Sequence, residues 1–294
     1  MATALPLFAR NTMNLKRSVT CLSLLLAVAC AISAQSNYLK RTTVKTDRLD
    51  FGAGGTVSIV GAPIGSIRVE PAATSELQIE ATIELQAATE ADLAKLAEVT
   101  NFVLDESLGR VSIISTGTHD RKFLKQVAKK FPKNLLDLPF RIDYVVKVPR
   151  YCDLQIDGGK GDISVAGIEG ALKINSLESN ATLSLVGGGV NATFGAGTVD
   201  ITMPDRSWRG NAIDISLGSG TMNIHVPVNL SAELDAAVLR TGQIENSLQD
   251  LKPRVRTVKF TDKSIAAKAG AGGVPMKFTV GDGTLKLSRI GISE

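Results

Sequence analysis

The chain has 294 residues, with 33 Lys+Arg against 29 Asp+Glu and aromatic residues at only 4%. Three of the basic residues and none of the acidic ones fall in 1–34, so residues 35–294 carry 30 basic against 29 acidic. A near-neutral chain with few aromatics lacks the clustered basic face and stacking rings of a nucleic-acid binder, and Cys152, the one cysteine beyond residue 34, cannot make a disulfide framework.

Arg10, Lys16 and Arg17 precede an apolar run from Val19 to Ile32, and the small pair Ser33-Ala34 precedes polar Gln35. This order is the three-part pattern of a secretory signal, and the run is short for a bilayer span. Residues 1–34 are therefore expected to be a signal peptide cleaved after Ala34, with Met13 an alternative start. A lipoprotein signal with Cys30 as the acylated residue is the competing form, weakened by Ala27 where such signals usually carry leucine. The expected location is outside the cytoplasm, in the periplasm, the outer envelope or the medium.

Residues 45–150 form a β-rich entry region. Thr56–Val60, Gly65–Val69 and Leu77–Leu85 alternate apolar and polar residues as strands do. The period then changes: Thr89 stands as a cap before acidic Glu90 and Asp92, and Leu93, Leu96, Ala97 and Thr100 share one helical face, predicting a helix near 89–100. Strands return at Arg110–Ser115 and at Arg141–Val148, the second closed by Pro149. Between them Arg121–Phe131 reads as a short basic amphipathic helix with Phe123, Leu124, Val127 and Phe131 on its apolar side. It is expected to pack on the sheet with its lysines in water; contact with a membrane surface is its alternative role.

From 151 to 292 a motif recurs in which two short strands flank a glycine corner. It appears as Leu154–Val165 around Gly159-Lys-Gly161, Val190–Ile201 around Gly195-Ala-Gly197, Ile213–Ile224 around Gly218-Ser-Gly220 and Met276–Leu287 around Gly281-Asp-Gly283. A degenerate copy from Leu172 carries Leu177-Glu178-Ser179 at its corner. Copies begin at 154, 172, 190 and 213, intervals of 18, 18 and 23 residues. Superposed on their corners, Gln155, Lys173, Asn191 and Asp214 form one outward column, and Ser164, Thr182, Asp200, Asn223 and Lys286 another. Such units cannot bury an apolar face alone and must stack. Two arrangements fit: a β-solenoid with each copy laid over the last, or an antiparallel meander of hairpins; the near-constant interval and the polar columns favour the first. The fold class expected is all-β, β-solenoid or β-helix-like, with one or two short helices in the N-terminal half and the repeats continuous with the entry region.

The signal, the strand opening Gly55-Thr-Val-Ser-Ile followed by Gly65-Ser-Ile-Arg-Val69, the strand closing on Val148-Pro149, the Gly-x-Gly repeats and the final Gly270–Leu287 stretch together resemble the bacterial β-strand-repeat family labelled putative adhesin, a domain of unknown function in envelope proteins. The similarity covers about residues 45–292. It implies a β-helix-like domain outside the cytoplasm. The segment 117–140 departs from that pattern.

Catalytic constellations are not legible. His119 and His225, the two histidines, stand 106 residues apart with no His-x-x-x-His pair, against a zinc hydrolase. Gly158-Gly-Lys-Gly-Asp162 has a calcium-repeat look, but Thr198, Thr221 and Thr284 occupy the aspartate's place in the other corners. Asp200 and Asp214 are the nearest pair for a glycan-cleaving site, which needs convergent carboxylates. Cys152 beside the strand at Leu154 is expected to be a small buried residue. No metal or cofactor is expected.

The function expected is a non-enzymatic exported envelope or secreted protein with an adhesin-like, scaffold or binding role toward a surface ligand, a glycan or an envelope protein; the alternative is a glycan-binding or glycan-processing β-helix. Membrane association is expected only through a lipidated Cys30 or the 121–131 helix. The binding candidates are Arg206, Trp208 and Arg209, in the extra segment Pro204–Gly210 that lengthens one repeat interval. Solenoid insertions become loops on one face, and Trp with Arg is enriched where binding energy concentrates. Trp208 folding back over apolar surface is the competing arrangement.

Overall fold

The computed structural model describes residues 38–127, 130–205 and 208–291. The expected signal, Cys30 included, and Arg206 lie outside the described residues.

Strands β1 (Leu39–Asp50), β2 (Thr56–Val60), β3 (Ile67–Pro71) and β4 (Glu76–Ala87) lead into helix α1 (Glu90–Val99). Strands β5 (Asn101–Ser107) and β6 (Arg110–Thr116) precede helix α2 (Arg121–Val127), and β7 (Phe140–Val148) follows it. The repeats comprise β8 (Asp153–Lys160), β9 (Ile163–Ala166), β10 (Gly170–Ser184), β11 (Gly188–Thr202) and β12 (Ile213–Val226). Last come β13 (Ala232–Val238), β14 (Gly242–Asn246), β15 (Lys252–Pro253), β16 (Ser264–Ala269) and β17 (Val274–Arg289). All 17 strands belong to one mixed sheet, not closed into a barrel.

Period-two alternation decides which side of each copy is core. Leu154, Leu172, Val190, Ile213 and Met276 stand in one parallel row before the corner, and Ile163, Ala181, Val199, Met222 and Leu285 in one row after it. All ten are buried. The Gly-x-Gly copies are therefore parallel coils stacked in register, each with two arms, and not turns of antiparallel hairpins. Both outward polar columns form as the sequence predicts: Gln155, Lys173, Asn191 and Asp214 are successive partners on one arm, and Ser164, Thr182, Asp200, Asn223 and Lys286 on the other. Hydrogen bonds run along these faces, with Asn175 Nδ2 donating to Asp157 at 2.7 Å and Asn223 Nδ2 to Asp200 at 2.6 Å.

The corners need glycine for two reasons at once. Gly197 and Gly220 have φ of +129° and +131°, a backbone that L side chains rarely adopt. A Cβ on Gly220 would also lie 1.9 Å from the carbonyl oxygen of Gly197, and one on Gly197 would lie 2.0 Å from that of Ser179. The degenerate copy solves the same corner without glycine. Its Ser176 and Ser179 are buried, their hydroxyl oxygens 2.5 Å apart, and Ser176 donates onward to the Gly159 carbonyl at 3.1 Å. Two polar groups that would otherwise be buried unpaired are thus satisfied locally.

Spatial order and chain order coincide only through the middle. Before the corner the arms run β6, β2, β8, β10, β11, β12, β17, β13; after it they run β7, β3, β9, β10, β11, β12, β17, β14. The final copy does not stack outside everything before it. It slots between β12 and the earlier-made β13–β14 coil.

Antiparallel strands finish both ends. β4 pairs with β7 and β1 with β4 over twelve residues, β5 pairs with β6, and β16 with β13. The sheet thus begins at Leu39, ahead of the entry region expected from residue 45. No residue of β1 is fully buried, and charged side chains occupy both of its faces, which suits an edge that must not recruit another strand. Helix α1 is capped by Thr89, whose side chain accepts from the Asp92 amide at 3.2 Å, and it buries Leu93, Leu96 and Val99 at this end of the core. The second helix corrects the sequence: its described part is Arg121–Val127, Leu124 is its buried residue, and Val127 is exposed. Phe131, beyond it, packs partly buried on the core. Among the described residues no helix is long and apolar enough to cross a membrane.

Candidate functional site

The tryptophan loop leaves the coil between β11 and β12. Trp208 is partly buried against the core, and its indole N–H donates to the Asn211 carbonyl at 3.1 Å. Arg209 is exposed, while its carbonyl accepts from the Gly188 amide at 2.7 Å. A Cβ on Gly187 would stand 2.8 Å from that same carbonyl, so the bare Gly187-Gly188 turn makes room for the loop to lie on the preceding coil. Trp208 thus holds the loop down through the apolar body of its ring, while Asp205 and Arg209 are charged side chains that the described part of the loop presents to solvent.

A second candidate arises where β6 passes to β7. In the repeats this corner is a three-residue Gly-x-Gly; here residues 117–139 replace it. Asp120 opens α2, its Oδ1 accepting from the amides of Lys122 and Phe123 at 2.9 and 3.0 Å. A 3-10 turn at Lys133–Leu135 buries Leu135, and the chain returns through Leu136–Pro139. The excursion and the β2–β3 connection enclose an open cleft of about 550 Å³, lined by Pro63, Ile64, Thr118, His119, Arg121, Leu136, Asp137, Leu138, Pro139 and Phe140. The rings of His119 and Phe140 stack at 5.5 Å with 26° between planes. That packing buries one side of the imidazole and lowers its pKa, an effect only partly offset by the Asp120 charge and a backbone hydrogen bond with Ser115. His119 is accordingly neutral at pH 7, and the cleft offers apolar walls with one guanidinium and one carboxylate at its rim.

The remaining candidates are spread apart. Asp200 lies after the corner and accepts from Asn223, whereas Asp214 lies before it and pairs with Lys277 at 3.6 Å. The two carboxylates occupy different arms and do not converge. His225 Nδ1 is 2.8 Å from the Ser288 hydroxyl. Cys152 is buried, and burial with the nearby Asp153 charge pushes its thiol up to about 12. Among the described residues no three His, Cys, Asp or Glu side chains come together as a metal-ion site. Sequence missed the cleft because one wall, Pro63-Ile64, comes from a turn more than fifty residues upstream of the other; the break in repeat pattern at 117–140 was its one available signal.

No protein-family model matches the chain, and no curated protein sequence matches it. Among solved structures it is similar to a Clostridium sporogenes protein provisionally described as a cell adhesion protein, at 11% identity and a TM-score of 0.45, over 85% of this chain and 100% of that one. It is also similar to a Parabacteroides distasonis protein provisionally described as lipid binding, at 9% identity and a TM-score of 0.29, over 84% and 97%. A provisionally described adhesin from Bacteroides fragilis shows 10% identity and a TM-score of 0.24 over 84% and 97%.

Proposed function

We propose that this chain is a non-enzymatic binding module of the bacterial envelope or medium, exported by its N-terminal signal, with the ladder as a rigid frame and the cleft at the interrupted corner as its ligand site. The observation that carries this is the cleft itself: the one corner replaced by a 23-residue excursion is also where apolar walls, a stacked His119–Phe140 pair and the charged groups Arg121 and Asp137 converge. Concave, mostly apolar sites with a few polar groups are where ligands are held. The separation of Asp200 from Asp214 favours binding over glycosidic cleavage, which needs two carboxylates across one bond.

The test is retention of the protein on immobilised bacterial polysaccharides and on washed envelope fractions, with Ile64→Asp as the variant. Ile64 is 47% exposed on the cleft wall, so the charge is tolerated by the fold. Retention falls by about tenfold at unchanged melting temperature if the cleft is the site, in proportion to a lost apolar contact. Equal retention moves the site elsewhere, and new reducing ends on the polysaccharides would make the protein a glycan-processing enzyme.

A further inference from the structure

Charge is distributed unevenly along the ladder. Of the 30 basic and 29 acidic residues in 35–294, six basic and no acidic residues lie in 121–133, and five basic and one acidic lie in 252–263. The rest of that stretch is left with 19 basic against 28 acidic. The first basic segment contributes Arg121 to the cleft lining. The second, at the opposite end of the sheet, has no part in the cleft.

Residues 252–263 form a loop pinned at both feet. At the first, the Arg254 amide donates to the Ala266 carbonyl at 3.0 Å, and its guanidinium pairs with Asp235 at 2.8 Å and Glu233 at 3.8 Å. At the second, the Lys263 carbonyl accepts from the Val238 amide at 2.9 Å, and Thr261 Oγ1 accepts from the amides of Lys263 and Ser264. Phe260 tucks partly buried onto the core. Between the feet every residue from Val255 to Lys259 is exposed. A turn closed by the Val258 amide on the Val255 carbonyl at 3.0 Å puts both valines, each 54% exposed, at the tip beside Arg256 and Lys259.

We infer that this loop is a contact site for an anionic lipid surface. The charge complementarity is direct: Arg256 and Lys259 make no ion pair among the described residues, and the single acid of the segment is Asp262. Basic side chains alone would suit any polyanion. Two exposed valines held between them suit a headgroup layer with an acyl boundary just beneath it, where a small apolar tip gains by leaving water and cations gain from the surface potential. A nucleic acid would instead need a ring to stack on, and the aromatic here, Phe260, is turned to the core. The inference does not depend on what the cleft binds.

Co-sedimentation with phosphatidylcholine vesicles, with and without about a third phosphatidylglycerol, tests it on protein recovered after export. Should the apolar run at 19–32 be retained, it is common to every variant and cancels in the comparison. The wild-type protein partitions onto the anionic vesicles far better than onto neutral ones. Arg256→Gln with Lys259→Gln lowers that partition by about 25-fold, at about fivefold per cation near the surface. Val255→Ser with Val258→Ser lowers it by about tenfold without changing the charge or the melting temperature. Lys122→Gln with Lys125→Gln, in the other basic segment, leaves it unchanged. Equal binding to both vesicles, no binding to either, or loss with the helix pair and not the loop pairs would overturn the inference. Loss with the cation pair but not the valine pair would replace the lipid by a soluble polyanion and overturn it as well.

Discussion

Residues 153–226 and the two ends of the ladder obey different rules. In the middle each coil lies on the one made just before it, at an offset of 18 or 23 residues, and its partners repeat row by row. At the ends the chain overshoots and returns: β6 and β7 stack outside β2 and β3, and β17 fills a place between β12 and β13. The ends also carry the segments that break the repeat, where the cleft and the basic loop reside: the corner between β6 and β7 is drawn out into the 117–139 excursion, and the chain between β14 and β17 includes the loop within 252–263. The middle supplies rigidity by repetition; the ends supply the features that repetition forbids.

If the middle is a closely packed stack, its core will tolerate least. Ile215 is fully buried, and Ile215→Asp places an uncompensated charge there, costing about 5 kcal/mol or preventing folding, as read in denaturant melts. The glycine corners sharpen the contrast. Gly220→Ala must fit a methyl against the Gly197 carbonyl at positive φ and costs more than about 3 kcal/mol, whereas Gly54→Ala, at φ +82° with open space around it near the N-terminal end, costs about 1 kcal/mol. Trp208→Ala removes a half-buried ring and its hydrogen bond to Asn211 and lowers stability by about 1–2 kcal/mol. Loss of surface binding at an unchanged melting temperature would instead make that loop the ligand site.

Smaller effects separate the N-terminal end from the wet face of the stack. Burial raises the Asp143 pKa, but hydrogen bonds from the Ser66 hydroxyl and amide at 2.6 and 2.7 Å, together with the Arg141 guanidinium, outweigh it and hold the carboxyl below its ordinary value. A carboxylate with a depressed folded pKa contributes stability that is complete above the unfolded value of about 4 and is lost as pH falls through the folded value. Asp143→Asn therefore costs about 1 kcal/mol at pH 7, and the gap to wild type closes below about pH 4. Asp214→Asn, on the outer column, shifts stability by less than about 0.5 kcal/mol in the same melts.

How much of this was legible follows from the same contrast. Both outward columns and the inward rows could be aligned from the corners alone, because a parallel in-register stack turns sequence offset directly into spatial neighbourhood. Strand β1 was invisible: with Lys40, Arg41, Lys45, Asp47 and Arg48 distributed over both faces, it has no period to detect and is fixed only by pairing with β4. Strand β5 was missed for a related reason, since within Asn101–Ser107 only Phe102 is buried. The apolar stripe assigned to the basic helix failed at Val127, the last residue of the helix's described part, whose side chain faces solvent. The place of the final copy was unreadable, because its corner matches those of β11 and β12 equally well and only a non-local pairing decides where it fits. Of the candidate site, the helix was visible and the cleft was not.

The insertion of the last copy between β12 and the β13–β14 coil is tested most directly by paired cysteines on the outer column, with Cys21 and Cys30 replaced by Ser and the buried, weakly acidic Cys152 left in place. Asn223 and Lys286 are neighbouring partners across β12 and β17, and Lys286 is in turn the partner of Glu245 on β14. Neighbouring strands lie about 4.8 Å apart, within disulfide reach, and next-but-one strands do not. Asn223→Cys with Lys286→Cys is predicted to form a disulfide under mild oxidation, while Asn223→Cys with Glu245→Cys stays reduced. A disulfide in the second pair and none in the first would mean that the coils stack in chain order and would contradict the account.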